Sequence, residues 1–284
     1  MVATYQNLDR TIYQDEFKED FERMKSVLLQ CINSEGTKQG KTYQWDIAGL
    51  SGTAKQRGRD GNIVRGTPVF SKVTADIVEE FSEKFVINDI DAYTTNPNVR
   101  NQMAKKSIAQ CNRAIDQKIV DILDATSVQY NSGTAITYST LAHCMKIRDT
   151  LLANDVPADD GQIWCLMSIP AASQLMRIPE FKSSDYVQQR PAENGLPAVG
   201  YRRWLDVNWK SFNGLTGKGT SACSTYMFHT SAVAHALDGT PEPHSYWYEP
   251  EHRWEHYAVI RHAGTAALTR GIIEVVHDDT AAYA

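Results

Sequence analysis

His252, Glu255 and His256 form the stretch whose residue types come closest to a catalytic metal site. They match an H-x-x-E-H pattern, which in some zinc proteases brings two ligands and a general base together on one face of a helix. Prolines precede the pattern, and the segment 257–260 after it has the composition of a strand. On a strand the two histidines share a face but lie about 13 Å apart, too far to bind one zinc ion. We therefore predict a strand here and no metal site.

A glycine-rich segment, Gly214 to Thr220, invites comparison with a phosphate-binding loop. A P-loop has a lysine followed by serine or threonine, and it connects a strand to a helix. Here Gly219 follows Lys218, and the next segment, 223–228, has a strand pattern. The glycine-rich segment is therefore predicted to be a flexible hairpin turn.

The remaining reactive side chains form no catalytic pattern. No serine lies in a G-x-S-x-G elbow, and the five cysteines are scattered in apolar patterns that predict buried, reduced thiols in a cytosolic chain. The acidic pairs Asp159–Asp160 and Asp278–Asp279 lie in loop-like or terminal segments and are predicted to be solvated charges or partners of helix dipoles. We predict that the protein is not an enzyme and that it binds no cofactor or metal.

The composition is that of a folded protein, with 42% hydrophobic and 22% charged residues in a chain of 284. The net charge of −5 argues against nucleic-acid binding over the whole surface, because phosphates are neutralised by an excess of basic residues. No apolar run approaches the roughly 18 residues of a membrane span, and residues 1–5 do not begin a signal peptide. No membrane partner is expected.

A long helix from Pro97 to Asp124 is the element around which the other segments are organised. Asn96 is a suitable N-cap, and proline is well tolerated at the first helical position. Charged residues, Asp116 among them, are assigned to the surface. At 1.5 Å per residue the helix is about 40 Å long, which suits a spine with a sheet against one face. Apolar residues recur at spacings of three and four, namely Ala104, Ile108, Cys111, Ile115, Ile119 and Ile122.

Two segments precede this spine helix. An amphipathic helix is predicted from Gln14 to Ile32, and a long two-stranded hairpin from Lys41 to Ala75. The centre of the hairpin is rich in glycine and charge and has almost nothing to bury. Because an isolated hairpin is marginally stable in water, we expect it to rest on another surface, with a neighbouring subunit as the natural candidate.

Shorter elements follow the spine helix. A helix capped by Ser139 is predicted to end at Leu152, and a short helix runs from Pro170 to Met176. A helical run is predicted from Ser231 to Leu237. Strands are predicted at 163–167, 201–209, 223–228, 245–248, 254–260 and 268–276, in addition to residues 73–90 before the helix.

The order of these elements resembles that of the major capsid proteins of tailed bacteriophages with the Hong Kong 97-type fold. The stretches that carry the resemblance are 89–93 with 96–97 and the helix that follows, 151–157 with 164–171, 226–234, and 264–276. The resemblance implies an α+β fold with an N-terminal arm (1–40), an extended loop (41–75), a peripheral domain that contains the spine helix at 97–124 (76–136 and 254–284) and an axial domain (137–253).

The resemblance also implies a function. Such a protein assembles with itself into the hexamers and pentamers of an icosahedral phage head around double-stranded DNA, in the host cytoplasm, and ends in the virion. The implied partners are a separate scaffolding protein, a portal protein and, in some heads, a cement protein, with weak non-specific contact to packaged DNA. Two alternatives stay open: an encapsulin-like cargo compartment of the same fold and, less favoured, a zinc hydrolase built on His252 and His256.

Charge indicates where subunits could meet. The basic hairpin tip carries Lys55, Arg57 and Arg59, with Arg65 nearby, and the N-terminal segment carries Asp15, Glu16, Glu19 and Asp20. We hypothesise that the basic tip crosses to an adjacent subunit and meets acidic surface there, with the N-terminal arm as first choice. The alternative, that both are simply solvated charge runs, stays open.

Overall fold

The computed structural model describes residues 24–49, 69–88, 98–125, 128–130, 135–182 and 202–281. Its helices and strands, in chain order, are β1 (Thr37–Gln39), β2 (Thr42–Ala48), β3 (Phe70–Asp76), β4 (Val78–Phe81), β5 (Phe85–Asn88), α1 (Asn98–Asp124), α2 (Leu141–Leu152), β6 (Ile163–Met167), α3 (Ile169–Leu175), α4 (Pro179–Lys182), β7 (Arg202–Trp204), β8 (Val207–Ser211), β9 (Cys223–His229), β10 (Val233–Leu237), β11 (Glu242–Tyr248), β12 (Arg253–Ala266) and β13 (Ile272–His277). Short 3₁₀ turns lie at Leu29–Cys31, Thr230–Ala232, Glu249–Glu251 and Thr269–Gly271.

The 27-residue helix α1 confirms the predicted spine helix. The apolar residues from Cys111 to Ile122 of the predicted stripe are buried, but so are Val120, Leu123 and Asp116. The buried face is wider than predicted because one hydrophobic core joins α1 to two different sheets. The assignment of Asp116 to the surface was therefore wrong.

A sheet of long strands covers one side of the spine helix, and we call it the long-strand sheet. The 14-residue strand β12 is its central strand. Strands β11 and β10 pair with residues 253–259 and 262–266 of β12, and strands β5 and β4 pair with residues 253–256 and 259–262. Ala258 and Ile260 of β12 belong to the core that contains the spine helix. The helix predicted for 231–237 was wrong, because residues 231 and 232 end a 3₁₀ turn and Val233–Leu237 form the strand β10 against the end of β12. A run of seven residues is too short to hold a helix alone, and strand pairing takes it instead.

A second five-stranded sheet, which we call the mixed sheet, has the order β13-β9-β6-β8-β7 with a parallel pair between β6 and β8. Every residue of β6 is buried, because the spine-helix core lies on one side and a second core that includes α2 lies on the other. The single strand predicted at 201–209 is instead the hairpin β7–β8. Its turn residues Leu205 and Asp206 both have positive φ, at 52° and 59°.

The hairpin predicted at 41–75 exists and is part of a three-stranded sheet rather than a two-stranded one, since β1 pairs with β2 and β2 pairs with β3. Its base rests on its own subunit, where Tyr43 packs against Ala236 of β10 and Ala263 of β12. Lys38 also makes an ion pair with Asp238 at 2.6 Å. The base of the hairpin therefore does not need a neighbouring subunit for support.

Two predicted helix features differ from the structure. Residues 14–23 of the helix predicted at 14–32 lie outside the described part of the chain. Between Met24 and Ile32 the only helical residues are the 3₁₀ turn Leu29–Cys31. The N-cap of α2 is Thr140 and not Ser139, and its side chain makes no capping hydrogen bond.

Strand pairing groups the segments differently from the division implied by the resemblance. Strands β10 and β11, within the predicted axial segment 137–253, pair with β12 in the long-strand sheet. Strand β13, within the predicted peripheral segment 254–284, pairs with β9 in the mixed sheet. Each sheet therefore contains strands from both sides of the predicted boundary near residue 253.

Candidate assembly surfaces

The H-x-x-E-H pattern lies at the start of β12 and not on a helix. His252 precedes the strand in a left-handed conformation, and Glu255 and His256 are neighbours that point to opposite faces of the sheet. Glu255 accepts hydrogen bonds from the hydroxyl of Tyr246 and from Lys84 at 3.0 Å, and these lower its pKa from 4.5 to about 2. The carboxylate is thus held in an ionic cluster. Across the described ranges no three His, Cys, Asp or Glu side chains are grouped as a metal site requires.

A serine, a histidine and an aspartate do meet, but in the wrong order for a hydrolase. Asp279 lies between the other two, accepting a hydrogen bond from the hydroxyl of Ser168 and lying 2.9 Å from Nδ1 of His277. In a catalytic triad the imidazole stands between serine and carboxylate. Here Nε2 of His277 is 3.0 Å from the amide oxygen of Gln174, and Ser168 caps α3 by accepting the N–H of Ala171. The cluster is structural.

The contacts of Asp279 and the order of strands in the mixed sheet each correct a prediction. Asp279 is not solvated: its side chain is fully buried and also accepts the N–H of Gly219 at 2.9 Å. The loop from Gly214 to Thr220 is not a hairpin turn, because β6 lies between the two strands β8 and β9 that it connects. Asp160 is likewise engaged, at 2.8 Å from Nε2 of His229.

The residues predicted to form contacts between subunits all lie outside the described residues. They are the basic Lys55, Arg57, Arg59 and Arg65, and the acidic Asp15, Glu16, Glu19 and Asp20. The structure instead shows where the two segments that carry them are anchored. The hairpin is anchored at Tyr43, as described above, and the N-terminal segment is anchored on the spine helix.

Asp116 anchors the N-terminal segment. Its carboxylate accepts hydrogen bonds from the hydroxyl of Ser26 at 2.6 Å and from the N–H groups of Val27 and Leu28, each at 3.1 Å. In an α-helix those two N–H groups would bond to carbonyls four residues earlier. The carboxylate competes with the helix that the sequence pattern predicts. One turn away on α1, Asn112 donates to the carbonyl of Met24 at 2.9 Å.

A buried lysine completes the anchor from the other side. Lys210 of β8 is 2% exposed and donates to the carbonyl of Val27 at 2.7 Å. Burial lowers its pKa, and Asp116 acts in the opposite direction. The N-terminal segment is thus bonded on one side to the spine helix and on the other to the mixed sheet. Sequence reasoning missed both residues, although the spacing of Asp116, Val120 and Leu123 follows the helical period.

The face of the long-strand sheet opposite the spine helix exposes large apolar side chains. Phe81 is 62% exposed, Val86 42% and Tyr246 37%, and all three flank the ring of Tyr257 or the buried carboxylate of Glu255. Scattered apolar residues are ordinary on a surface, but several on one sheet face mark an interaction site. We call Phe81, Tyr246 and Tyr257, together with the adjacent Val86, the aromatic face. It is a candidate assembly surface that sequence reasoning missed.

Comparisons with known proteins agree with this architecture. Residues 6–240 match the family described as "Phage capsid protein". A comparison with curated proteins gave no match. Among the helices of the described ranges, none is both long enough and apolar enough to cross a bilayer.

Solved phage capsids have the same fold. The capsid structure of the cyanophage P-SCSP1u is similar with a TM-score of 0.67 at 13% identity, over 93% of this chain and 91% of that chain. The structure of Mycobacterium phage Che8 has a TM-score of 0.66 at 16% identity, over 95% of this chain and 97% of that chain. The mature capsid of bacteriophage PhiM1 has a TM-score of 0.64 at 13% identity, over 94% of this chain and 91% of that chain. This is the Hong Kong 97-type fold. Because the family match covers most of its length, the chain belongs to the phage capsid protein family.

Proposed function

We propose that copies of this major capsid protein form the hexamers and pentamers of an icosahedral phage head that encloses double-stranded DNA. The observation that carries the proposal is the family match over residues 6–240, supported by the fold shared with solved phage capsids. Self-association and a place in the virion follow from the family. The family match favours a phage head over an encapsulin-like compartment.

The partners beyond the chain itself are part of the same proposal. A scaffolding protein and a portal protein would act during assembly in the host cytoplasm, and a cement protein could decorate the finished shell. Contact with packaged DNA would be weak and non-specific, since the net charge of −5 leaves no basic excess for phosphates. An enzymatic activity is not proposed, because the two arrangements that come closest to an active site are structural.

The anchors support the proposed contacts between subunits. Lys55, Arg57, Arg59 and Arg65 would meet acidic surface on an adjacent subunit, with Asp15, Glu16, Glu19 and Asp20 as first choice. Each exposed pair would contribute about 0–1 kcal/mol and be screened by salt. Both segments start from fixed points on their own subunit, at Tyr43 and at Asp116. Fixed starting points reduce the positions that each segment must search, which favours a reproducible contact.

The domain division is also a proposal, adjusted to the sheets. The peripheral domain would contain the spine helix with the long-strand sheet, and the axial domain would contain α2, α3 and the mixed sheet. The extended loop at 41–75 would leave the peripheral domain at its hairpin sheet, and the N-terminal arm would leave at Asp116. The packing of Tyr43 on Ala263 supports the first of these exits, and the Asp116 hydrogen bonds support the second.

Expression of the chain alone and together with its genomic neighbours, followed by cryo-electron microscopy, tests the function. We expect closed particles with hexamers and with pentamers at the vertices. A chain that remains monomeric under every condition, including with the scaffolding protein, would overturn the proposal.

A further inference from the structure

Two fully buried histidines lie where the spine helix meets the long-strand sheet. Nε2 of His235, on β10, is 3.1 Å from Nδ1 of His262, on β12. Nε2 of His262 is in turn 3.4 Å from a carboxylate oxygen of Glu80 on β4, which is too long for a hydrogen bond but close enough for electrostatic attraction. The three side chains form a chain that leads from the half-buried Glu80 to the fully buried His235.

The space for this pair is made by a glycine and closed by the spine helix. Gly264 lies opposite His235 in the ladder. A Cβ at that position would come within 2.9 Å of the His235 ring and within 2.6 Å of Cδ1 of Ile122 on the spine helix. The imidazole pair is therefore packed directly between the sheet and the helix, and any movement of its rings acts on that contact.

The buried pair is best satisfied when both rings are neutral, because a further proton would need an acceptor that the site does not supply. When Nε2 of His235 donates to Nδ1 of His262, Nδ1 of His235 carries a lone pair, and that atom has no hydrogen-bond partner within the described chain. A proton added to His235 would create a buried donor with no acceptor. A proton added to Nδ1 of His262 would either set two N–H groups against each other or move the proton of His235 to its Nδ1, where the buried N–H has no acceptor within the described chain.

We propose that the His235–His262 pair is an acid-sensitive joint that holds the spine helix on the long-strand sheet at neutral pH and releases it as the pH falls. Opening of the joint takes up protons, so acid favours the open form. The consequence for an assembled shell, a loosening of each subunit in acid, rests on the proposed function. The joint itself does not, because it lies within one chain.

The charged groups around the pair act in this direction. Burial lowers the pKa of His235 from 6.5 to about 4, and the neighbouring His262 and Lys118 of the spine helix add to the effect. Burial and Lys118 also lower the pKa of His262, while Glu80 raises it. Cys111 of the spine helix also faces Glu80, and burial keeps its thiol protonated. Between pH 6.5 and 4 the open form therefore binds protons that the closed form does not, and stability falls with pH.

Hydrogen exchange of spine-helix amides in the full-length subunit, measured from pH 7 to pH 4 and corrected for intrinsic exchange rates, tests the joint. In the wild type we expect the opening constant to rise by about tenfold per pH unit for each histidine that titrates on opening. The variant His235→Gln keeps a hydrogen-bond donor for His262 but has one titrating side chain fewer. For each pH unit of acidification, the rise in its opening constant should therefore be smaller than the wild-type rise by a factor of about ten. His244→Gln, at an exposed histidine of the same sheet, is the matched control and should follow the wild type.

Lys118→Met provides an independent variant if His235→Gln fails to fold. Loss of the positive charge raises the pKa of both rings in the closed form. On acidification the opening constant should therefore stop rising at a higher pH than in the wild type, and its total rise should be smaller. A pH profile in His235→Gln, or in Lys118→Met, that matches the wild type would overturn the joint. Because the measurement uses unassembled subunits, its failure would leave the proposed capsid function untouched, and failure to form shells would leave the joint untouched.

Discussion

Replacement of Asp116 by alanine is expected to release the N-terminal segment from the spine helix. The change removes the acceptor for the N–H groups of Val27 and Leu28 and for the hydroxyl of Ser26. A buried donor left without an acceptor costs roughly 1–3 kcal/mol, and two backbone donors are affected. Lys210 also loses the nearby carboxylate. We expect a loss of about 3–5 kcal/mol in the free energy of unfolding, as for other broken buried charge networks.

Two further variants separate this effect from a general disturbance of the helix. Asp116→Asn keeps one acceptor oxygen and places an NH₂ group beside the donors, so it should cost less than alanine, about 1–3 kcal/mol. Asp121→Ala, at an exposed aspartate of the same helix whose carboxylate accepts a hydrogen bond from Gln117 at 3.0 Å, is the matched control. It should stay within about 0.5 kcal/mol of the wild type.

Chemical denaturation followed by tryptophan fluorescence measures these differences, and limited proteolysis reports on the N-terminal segment directly. We expect Asp116→Ala to be cleaved between residues 24 and 36 faster than Asp121→Ala under native conditions. Equal unfolding free energies and equal cleavage rates for the two alanine variants would refute the role assigned to Asp116.

Four other changes have defined outcomes. Reversal of Arg57 and Arg59 to Glu should slow or misdirect shell formation at low salt without a change in Tm; normal assembly rates by light scattering would exclude a role for the tip charge. Phe81→Ser should impair assembly while the unfolding free energy stays within about 1 kcal/mol, and normal particles would remove the aromatic face as an assembly surface. Gly264→Ala should destabilise the subunit by about 1–3 kcal/mol through overpacking against the spine helix, and an unchanged denaturation midpoint would contradict the close contact. The pKa of Asp279 is lowered from its usual 3.8, so the contribution of Asp279 to the free energy of unfolding is full above pH 3.8 and is lost as the pH falls below that value. Asp279→Asn should therefore flatten the dependence of stability on pH below 3.8, and a dependence identical to that of the wild type would count against the buried cluster.

Sequence patterns predicted the elements whose signals are local and long. The spine helix repeats its apolar residues from Ala104 to Ile122, over about five turns, and strand β2 alternates at Tyr43, Trp45 and Ile47, so both were found. The helix predicted up to Ile32 failed because a carboxylate about 90 positions later in the chain takes its N–H groups. No window of neighbouring residues contains that information.

The other errors have the same kind of cause. Leu205 and Asp206 have positive φ in the turn between β7 and β8. Their sequence does not predict a hairpin, because Asn-Gly or Asp-Gly is the usual signal for such a turn. The segment Val233–Leu237 is a strand because the end of β12 needs a partner. The aromatic face was missed because exposure depends on which side of the sheet the spine helix covers. Each outcome depends on tertiary contacts rather than local propensity.

The single core that joins the spine helix to both sheets has a consequence for curvature. In a closed shell, chemically identical subunits meet their neighbours at different angles around hexamers and pentamers. Between Cys111 and Leu123 the helix is packed on both sides in one continuous core, and this part of it offers no hinge. The subunit should therefore tilt as one stiff block, and the difference in angle between pentamer and hexamer should appear where subunits touch and not inside them.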